Sequence, residues 1–467
     1  MKTILVPIKN VKLIHRYFFR SGLVSLLIAG GTRVVLLVRD TERSAYENEF
    51  GKAGVAVAGM PLPWLPLTYR ILTRVAAHVF RNPRFISFHF LKYEQGVLPF
   101  FQLCLRIILT LVFSFSRRAA RLAQDFSHRT VLRILRVRRV TEIFDEYKPD
   151  AVFLPSLHDA DWDITVLAEA RRRKIPTAGS VRVWSSLGPG PFLLSHPDIL
   201  LVGSKFMKEM ATRDHFFRED QVRVTGFPYF DWFLKKELVL AREDFLRSLG
   251  IGSDRRLVLY ASSGVFPYER EIRFAEIFEE LVKNRLLPEN TVMLFRTHPY
   301  YSGAKDEVRE FQSRNFSHVV MAPVVPQNPK HIESPEEDKE DLTRLLNSIY
   351  HSSVLLTPGS TVFVEAAIFE KPMIALAFDA DTKVSYWNSF ARRYDGSSFE
   401  YGELVRSGGI RVVKSVADLT DALNCYLSDS SLNAEGRKRL RERFAGPLDG
   451  RATERLAQEL LSFATRS

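Results

Sequence analysis

Residues 355–372 read LLTPGSTVFVEAAIFEKP, a short apolar run that turns sharply and continues as a helical pattern. The apolar run ends at Thr357, Pro358 and Gly359 provide the turn, and Ser360 begins the helix. A strand, a tight turn and a helix in this order form the repeating unit of a parallel sheet that is covered by helices. The stretch therefore predicts an α/β fold.

The same alternation of apolar runs and helical patterns extends along most of the 467 residues. The predicted strands are 3–7, 33–38, 151–155, 177–183, 199–202, 221–225, 257–261, 291–295, 318–321, 353–357 and 373–377. A charged, helical stretch at 230–249 separates two alternating blocks. We predict two doubly wound, Rossmann-type domains with a cleft between them, where ligands bind beyond the carboxyl ends of the strands. The predicted boundaries are 1–230, a connection at 231–250, 251–450, and a final helix at 451–467.

Length and composition place the chain among ordinary globular proteins. Apolar residues make up 46% of the sequence, which excludes a wholly disordered chain. The two cysteines, Cys104 and Cys425, are too few for a disulfide framework or a cysteine-rich zinc site. The opening MKTILVPIKN is not followed by a small-residue cleavage site, so we expect a cytoplasmic protein.

Positive charge is concentrated in the first third of the chain. Residues 1–150 contain 24 Lys and Arg against 10 Asp and Glu, whereas the whole chain has a net charge of +12. The remaining residues are therefore close to neutral. A basic segment of this kind favours an anionic partner, such as lipid headgroups, nucleic acid or a phosphorylated acceptor.

Residues 58–140 interrupt the alternation with aromatic, apolar and arginine-rich sequence. Residues 98–115 read LPFFQLCLRIILTLVFSF, and 129–140 read RTVLRILRVRRV. The apolar run is short for a membrane-spanning helix and contains Arg106. Two interpretations stay open: a helix lying in the membrane interface with arginines at the headgroups, or a buried core helix beside a solvated basic one. Basic and aromatic residues in apolar helices favour lipid over nucleic acid as the partner.

The turn after residue 357 has the features of an anion site. Gly359 lets the backbone approach a ligand closely. The first N–H groups of the following helix have no intrahelical partners, and the hydroxyls of Ser360 and Thr361 lie beside them. Glu365 follows about one turn later, within reach of ribose hydroxyls of a bound nucleotide. Taken alone, this motif favours a simpler interpretation, in which Ser360 is an ordinary N-cap and Glu365 an exposed helix acid.

Two further loops follow predicted strands of the same sheet. FRTHPY at 295–300 places Arg296 and His298 at a strand end, where arginine can pair with phosphate and histidine can donate to it or transfer a proton. ASSGVFPY at 261–268 places Ser262, Ser263 and Gly264 in a small loop of the type found under phosphates. Three such loops at one sheet edge predict a nucleotide diphosphate site.

Acidic residues follow a strand in the first domain. PSLHDADWD at 155–163 contains Asp159, Asp161 and Asp163 with His158 beside them, and these residues should face the same cleft. A carboxylate or imidazole there could act as general base on an acceptor hydroxyl, although one aspartate is expected to cap the next helix. No histidine-rich cluster is apparent, and we expect no metal and no cofactor besides a nucleotide-activated donor, which is a substrate.

Several of these motifs resemble a known group. RTHP followed by TPGSTVFVEAAIFEKPMIALAFD resembles the C-terminal halves of GT-B fold transferases, above all the CDP-glycerol glycerophosphotransferases and related surface-polysaccharide glycosyltransferases. Bacterial sialyltransferases share the His-Pro and Ser-Ser/Thr pair. VRVTGFPYFDWF at 222–233 is similar to the end of the N-terminal domain in these proteins, and GRATERLAQELL at 450–461 to the helix that crosses back between domains.

The resemblance covers about residues 148–467 and implies roles for named residues. Arg296, His298, Ser360 and Thr361 would bind the donor phosphates, and Glu365 the ribose. The chain departs from the pattern in two ways: it lacks the acidic triplet of sialyltransferases, and it has Trp184-Ser185 where many relatives have Trp-Asp. Both departures concern the catalytic base, for which His158, Asp159 and Asp161 are the candidates.

We therefore expect a metal-independent GT-B glycosyltransferase at the inner face of the membrane. It would move a sugar from a nucleotide-sugar donor to a glycan or lipid-linked acceptor in the synthesis of a capsule or another cell-envelope polysaccharide. Its basic first third would bind anionic lipid, and nucleic acid is not an expected partner. The alternatives are a CDP-glycerol glycerophosphotransferase, a nucleotide-sugar 2-epimerase, and a non-catalytic membrane-binding protein that reuses the fold.

Overall fold

A computed structural model of the chain describes most of its residues. They are 1–8, 14, 19–51, 55–61, 67, 69, 86–94, 96–114, 117–157, 160–181, 183–187, 195–264, 268–298, 305–323, 335–380, 384–395 and 399–465. The chain divides into two compact units, one formed by Met1–Trp232 with Gly446–Ser467 and the other by Phe233–Ala445.

The first unit is built on a parallel sheet. Within the described residues its strands are β1 (Lys2–Pro7), β2 (Thr32–Arg39), β3 (Ala56–Met60), β4 (Ala151–Leu154), β5 (Thr177–Ser180), β6 (Ile199–Val202) and β7 (Val222–Val224). They lie in the order β3-β2-β1-β4-β5-β6-β7, and every neighbouring pair is parallel. From β1 the chain adds strands first on one side of the sheet (β2, β3) and then on the other (β4 to β7), which is the mark of a doubly wound sheet.

Helices cover this sheet and form the arginine-rich segment. They are α1 (Leu23–Ala29), α2 (Arg43–Phe50), α3 (Ile86–Glu94), α4 (Phe100–Ser114), α5 (Arg117–Ile134), α6 (Arg138–Tyr147), α7 (Ala160–Arg172), α8 (Lys205–Asp214) and α9 (Pro228–Asp231). Short 3₁₀ turns occur at Asp40–Glu42 and Glu219–Gln221.

The second unit repeats the design with its own parallel sheet. Its described strands are β8 (Arg256–Ala261), β9 (Thr291–Arg296), β10 (Val319–Met321), β11 (Val354–Thr357), β12 (Met373–Leu376) and β13 (Ile410–Val413). Their order is β10-β9-β8-β11-β12-β13, again with parallel neighbours throughout. From β8 the chain adds β9 and β10 on one side and β11 to β13 on the other, so the topological switch point lies between β8 and β11.

The helices of the second unit alternate with these strands. They are α10 (Arg242–Ser248), α11 (Tyr268–Lys283), α12 (Lys305–Ser313), α13 (Pro335–His351), α14 (Val362–Ile368), α15 (Phe399–Arg406), α16 (Val416–Ser428) and α17 (Ala434–Leu440). Single turns of 3₁₀ or π helix occur at Trp232–Leu234, Lys236–Leu238, Tyr386–Asn388, Ala391–Arg393 and Arg441–Ala445. Aromatic side chains contribute to the hydrophobic core of this unit. The rings of Tyr260 and Phe295 stack there with their centroids 4.7 Å apart.

The prediction of two doubly wound α/β sheets is confirmed, and the predicted strands are found with shifts of a few residues at their ends. The sequence reading missed β3 and β13. The first reads AVAGM, with small residues of low strand propensity, and the second follows Gly408 and Gly409 as the four-residue IRVV.

The segment 58–140 contains amphipathic helices. On α4, Leu103 is buried at 2% exposure, whereas Phe101, Leu105 and Ile108 are 68%, 46% and 57% exposed. These three residues are spaced at helical intervals and form one apolar row. Arg106 lies outside this row and is half-buried, which lowers its pKa. Among the described helices, none is both long and apolar enough to cross a membrane.

The last helix, α18 (Ala452–Thr465), packs within the first unit. The Asp231 carboxylate accepts hydrogen bonds from the N–H groups of Ala452 and Thr453 at 3.1 and 2.8 Å, and from the Thr453 hydroxyl at 2.8 Å. Asp231, at the end of α9, therefore caps a helix that lies far away in sequence.

We predict that Asp231→Ala loosens α18. The loss of a charged cap costs about 1–2 kcal/mol, because the first N–H groups of the helix lose their acceptor. Hydrogen exchange of the 452–465 amides should become about tenfold faster. The control is Asp220→Ala, which removes an exposed ion pair with Arg218. It should change hydrogen exchange of the 452–465 amides very little. Equal protection of α18 in Asp231→Ala and wild type would contradict this capping role.

Candidate functional site

The three predicted donor loops of the second unit lie side by side. β8 pairs with β9 on one side and with β11 on the other, and all three strands are parallel. In the β8–β9 register Ala261 lies opposite Arg296, and the N–H of Ser262 donates to the Arg296 carbonyl at 3.0 Å. The loops after these strands therefore leave the same edge of the sheet, at its switch point.

Gly264 and His298 bring the first two loops into contact. Gly264 has φ +66°, and a Cβ at this position would overlap the imidazole ring of His298. Burial, followed by the positive charge of Arg296, lowers the pKa of His298 to about 4. The imidazole is therefore neutral at pH 7, with one nitrogen able to donate a hydrogen bond and the other able to accept one.

A buried glutamate holds the loop after β8. Glu271 on α11 accepts hydrogen bonds from the Ser263 hydroxyl at 2.8 Å, from the Ser263 N–H at 3.1 Å, and from the Tyr260 hydroxyl at 3.0 Å. Burial raises the pKa of Glu271, and these hydrogen bonds oppose the rise. The Ser263 hydroxyl thus fixes the loop. Contact of Ser262 and Ser263 with donor phosphates stays a prediction.

Arg296 is held by a second buried acid. Its side chain is almost fully buried, and Nη2 donates to Asp341 Oδ1 at 3.0 Å. Its Nη1 has no hydrogen-bond partner within the described part of the chain. A buried ion pair of this kind orients the arginine firmly, because the loss of either partner leaves an uncompensated charge in the interior.

The turn after β11 depends on Gly359 and Arg393. Gly359 has φ +137°, and a Cβ there would overlap the Arg393 guanidinium. Arg393 Nη1 donates to the Gly359 carbonyl at 2.8 Å, and its guanidinium lies over the Tyr401 ring at 5.1 Å. The Gly359 N–H donates to Thr357 Oγ1 at 3.2 Å. These contacts fix a backbone conformation that only glycine adopts easily.

Ser360 and Thr361 begin the helix after this turn. Thr361 is the N-cap residue of α14 and makes no side-chain capping bond, whereas the Ser360 hydroxyl accepts a long bond of 3.5 Å from the Val362 N–H. Both residues are partly exposed. Neither hydroxyl is strongly engaged within the described residues, so both can turn to a ligand.

Glu365 lies one turn further along α14. Its side chain is partly buried, and Oε2 is shielded from solvent without a hydrogen-bond partner among the described residues. Burial raises the pKa of Glu365 to about 8. Glu365 is therefore mostly protonated at neutral pH and can donate a hydrogen bond as well as accept one.

The candidate bases of the first unit are placed less fully. His158 and Asp159 lie outside the described residues. Asp161 falls on α7, directly after the loop that leaves β4, and its side chain is not described. Their role in deprotonating an acceptor stays a prediction. In the described part of the chain, no group of three or more His, Cys, Asp or Glu residues is arranged to hold a metal ion.

Glu271, Asp341 and Arg393 are the positioning residues that sequence reasoning missed. Each is buried and holds one of the three loops by charge-assisted hydrogen bonds. Glu271 and Asp341 lie within charged helices, where an inward-facing acid looks like a solvated one. Arg393 lies far along the chain from the turn that it supports.

Comparison with known proteins agrees with this architecture. A family model described as CDP-Glycerol:Poly(glycerophosphate) glycerophosphotransferase matches residues 193–462, which is more than half of the chain. A teichoic acid poly(ribitol-phosphate) polymerase from Bacillus spizizenii (strain ATCC 23059 / NRRL B-14472 / W23) is 21% identical over 296 residues, covering 61% of this chain and 41% of that protein. The chain thus spans less than half the length of the curated relative it matches.

Solved structures are similar in fold. A UDP-GlcNAc 2-epimerase from Neisseria meningitidis bound to UDP-GlcNAc has a TM-score of 0.51 and 11% identity, covering 99% of this chain and 100% of that one. A glycosyltransferase from Rickettsia africae ESF-5 has a TM-score of 0.50 and 11% identity, covering 100% and 99%. At such identities the likeness shows the fold alone, and it confirms the predicted GT-B-like fold.

The matched range contains all three loops, their supporting residues and most of α18. The resemblance that the Arg-x-His-Pro and Ser-Thr motifs indicate is therefore confirmed over more than half of the sequence, and the chain belongs to the CDP-Glycerol:Poly(glycerophosphate) glycerophosphotransferase family.

Proposed function

We propose that this chain transfers a group from a nucleotide-activated donor to a growing cell-surface polymer, and that its second unit binds the donor. The observation that carries the proposal is the meeting of three loops at the ends of β9, β8 and β11, the switch point where doubly wound sheets bind nucleotides. The loops contribute a neutral imidazole at His298, the partly exposed hydroxyls of Ser360 and Thr361, and Glu365, whose raised pKa keeps it mostly protonated.

Family membership changes the order of the candidate donors. It favours a CDP-linked polyol, which donates a polyol phosphate and was the second expectation from the sequence, over a nucleotide sugar, which was the first. In the former case an acceptor hydroxyl oxygen forms a bond to the phosphorus of the transferred group. The bond from that phosphorus to the leaving CMP oxygen breaks, and the hydroxyl proton passes to a base.

The second-unit loops would act on the leaving nucleotide. Negative charge grows on its phosphate oxygens as the bond breaks, and preorganised donors aimed at those oxygens lower the barrier. His298, the hydroxyls of Ser360 and Thr361, and the charge of Arg296 are the groups we assign to this task. Glu365 would bind ribose hydroxyls, and His158, Asp159 or Asp161 would accept the proton. We propose that no metal takes part.

Nucleotide-sugar transfer stays the second candidate. A glycosyltransferase and an epimerase bound to UDP-GlcNAc share the fold over nearly the whole chain. An epimerase needs no polymer acceptor, so a reaction with the nucleotide sugar alone would favour that alternative. Binding to membrane without binding to any nucleotide would favour the remaining alternative, a non-catalytic membrane-binding protein.

We also propose that the protein binds the inner face of the membrane through α4 and α5. The apolar row of Phe101, Leu105 and Ile108 is exposed on α4, and exposed Arg118, Arg121 and Arg129 lie on α5. Apolar side chains at the acyl boundary with arginines at anionic headgroups are the features of an interfacial helix. A growing lipid-linked polymer would then meet the enzyme at this surface.

We predict that CDP raises the melting temperature more than UDP, GDP, ADP or CMP, with or without Mg²⁺. A ligand that binds only the folded state stabilises it by mass action, about 2.7 kcal/mol at one hundred times its Kd. His298→Ala and Ser360→Ala should each weaken CDP binding about tenfold, the loss of one hydrogen bond to a charged group. Thermal shift over a range of CDP concentrations measures both effects.

The matched control for the donor site is Ser430→Ala, which changes an exposed serine elsewhere in the second unit. It should bind CDP as wild type does. A larger shift with UDP would move the assignment to a nucleotide sugar. Wild-type affinity in both site variants, or no shift with any nucleotide at millimolar concentration, would contradict the proposed donor site.

We predict that Glu365→Gln stabilises the protein at pH 8 relative to wild type. The unfolded chain loses this proton near pH 4.5 and the folded protein near pH 8, so between these values the folded state binds more protons and its stability falls as pH rises. Glutamine removes that dependence. Melting temperatures at pH 4.5 and 8 should show a difference that grows with pH, whereas the exposed control Glu442→Gln should show no such trend. A constant difference would contradict the raised pKa.

We predict that the double variant Phe101→Asp/Leu105→Asp binds anionic vesicles at least tenfold more weakly than wild type. Each side chain loses about 1.5–3 kcal/mol of favourable burial, and each new carboxylate repels the lipid. Co-sedimentation with phosphatidylglycerol vesicles measures the effect. The control Leu286→Asp/Leu432→Asp changes exposed apolar residues of the second unit and should bind normally. Unchanged binding by the α4 variant would contradict the proposed surface.

A further inference from the structure

The second unit contains a cavity of about 460 Å³. It lies between α10 and α13, beside the carboxyl ends of β9 and β10. This volume falls in the range of small-molecule sites. Of the residues assigned to the donor site, Arg296 lines this cavity, whereas Gly264, His298, Gly359, Ser360 and Thr361 do not. The cavity therefore adjoins the donor loops at Arg296.

The walls of the cavity are largely apolar. Leu240, Phe245 and Leu249 line it on the α10 side, and Ala322 and Pro323 line it just after β10. Phe245 and Ala322 are also buried residues of the folded unit. An apolar ligand that covers such a wall removes apolar surface from water, which makes binding more favourable.

Two cationic groups border the same space. Arg296 donates a hydrogen bond from Nη2 to Asp341, and its Nη1 has no hydrogen-bond partner in the described residues. Lys339 on α13 is exposed and forms no ion pair within the described residues. A third lining cation, Arg344, is already paired with Glu340. The lining therefore offers positive charge that the protein does not fully compensate.

The apolar walls favour an apolar ligand, and the uncompensated positive charge favours an anion. One ligand can provide both. An unused guanidinium N–H beside apolar surface is unfavourable, because it has lost water without gaining an acceptor. A polar anion such as free phosphate would leave the walls unsatisfied, and a neutral hydrocarbon would leave the cations unsatisfied. A molecule with an acidic headgroup and an apolar body matches both.

We propose that this cavity binds a small amphiphilic anion, with its acidic group near Lys339 and Arg296 and its apolar body against Phe245 and Leu249. The site is additional to the proposed donor site and does not depend on it. Arg296 also ends β9 beside the donor loops, so the bound anion would contact a residue that both sites share.

The probes are decyl phosphate and decanoate, with decanol and inorganic phosphate as the tail-only and head-only controls. Isothermal titration calorimetry on the full chain, below the critical micelle concentration, should show both anionic amphiphiles binding at one site. Decanol should bind at least tenfold more weakly, and inorganic phosphate should give no detectable heat. Tighter binding of decyl phosphate would identify a phosphorylated ligand, and tighter binding of decanoate a carboxylate.

Two variants test the location. Lys339→Met, at an exposed position, should weaken decyl phosphate binding about tenfold by removing one charge-assisted bond. Thr343→Trp places a large ring into the cavity from α13 and should abolish binding. The control Lys414→Met removes an exposed lysine elsewhere in the second unit and should change nothing. Phe101→Asp/Leu105→Asp should also bind normally, which separates the cavity from the proposed membrane surface.

The proposal is overturned if decanol binds as tightly as decyl phosphate, or if Lys339→Met binds as wild type does. CDP binding by Thr343→Trp separates the two sites: this variant should keep its CDP thermal shift while losing decyl phosphate. If the wild-type protein does not bind CDP, that result contradicts only the proposed donor site.

Discussion

Parallel pairing of β8 with β9 on one side and β11 on the other is the constraint on which the proposed donor site depends. The pairing brings three loops that are distant in sequence to one sheet edge. It also sets Ser262 against the Arg296 carbonyl and Gly264 against the His298 ring. A substitution that shifted this register would separate the groups that we assign to the donor phosphates, even with each motif intact.

Buried charges then hold each loop in place. Glu271, Asp341 and Arg393 bind the loops after β8, β9 and β11 respectively. Burying a charge costs several kcal/mol unless it is paired, so these contacts add more to orientation than to net stability. These contacts fix the described residues of the three loops before a ligand arrives, which reduces the free energy needed to order them on binding.

Periodicity in the sequence predicted the fold well, because nearly continuous apolar runs such as RVVLLVR are typical of strands buried on both faces. β3 was missed because AVAGM has a single β-branched residue, Val57, among small ones. β13 was missed because IRVV directly follows the turn-forming pair Gly408-Gly409 and contains Arg411. The loops were found from glycine, histidine and hydroxyl residues after strands. Asp341 and Glu271 were not, because a helical acid carries no local sign of the face that the fold will bury. The apolar row on α4 distinguishes that helix from a core helix only through its exposure.

The most direct measurement is a crystal structure of the protein with CDP. The account predicts that the diphosphate lies at the edge of the second sheet, within hydrogen-bond distance of His298 and of Ser360 or Thr361, with the ribose near Glu365. CDP bound elsewhere, for example in the cavity beside Lys339, would contradict it. So would a diphosphate at the sheet edge that contacts neither His298 nor the turn after β11.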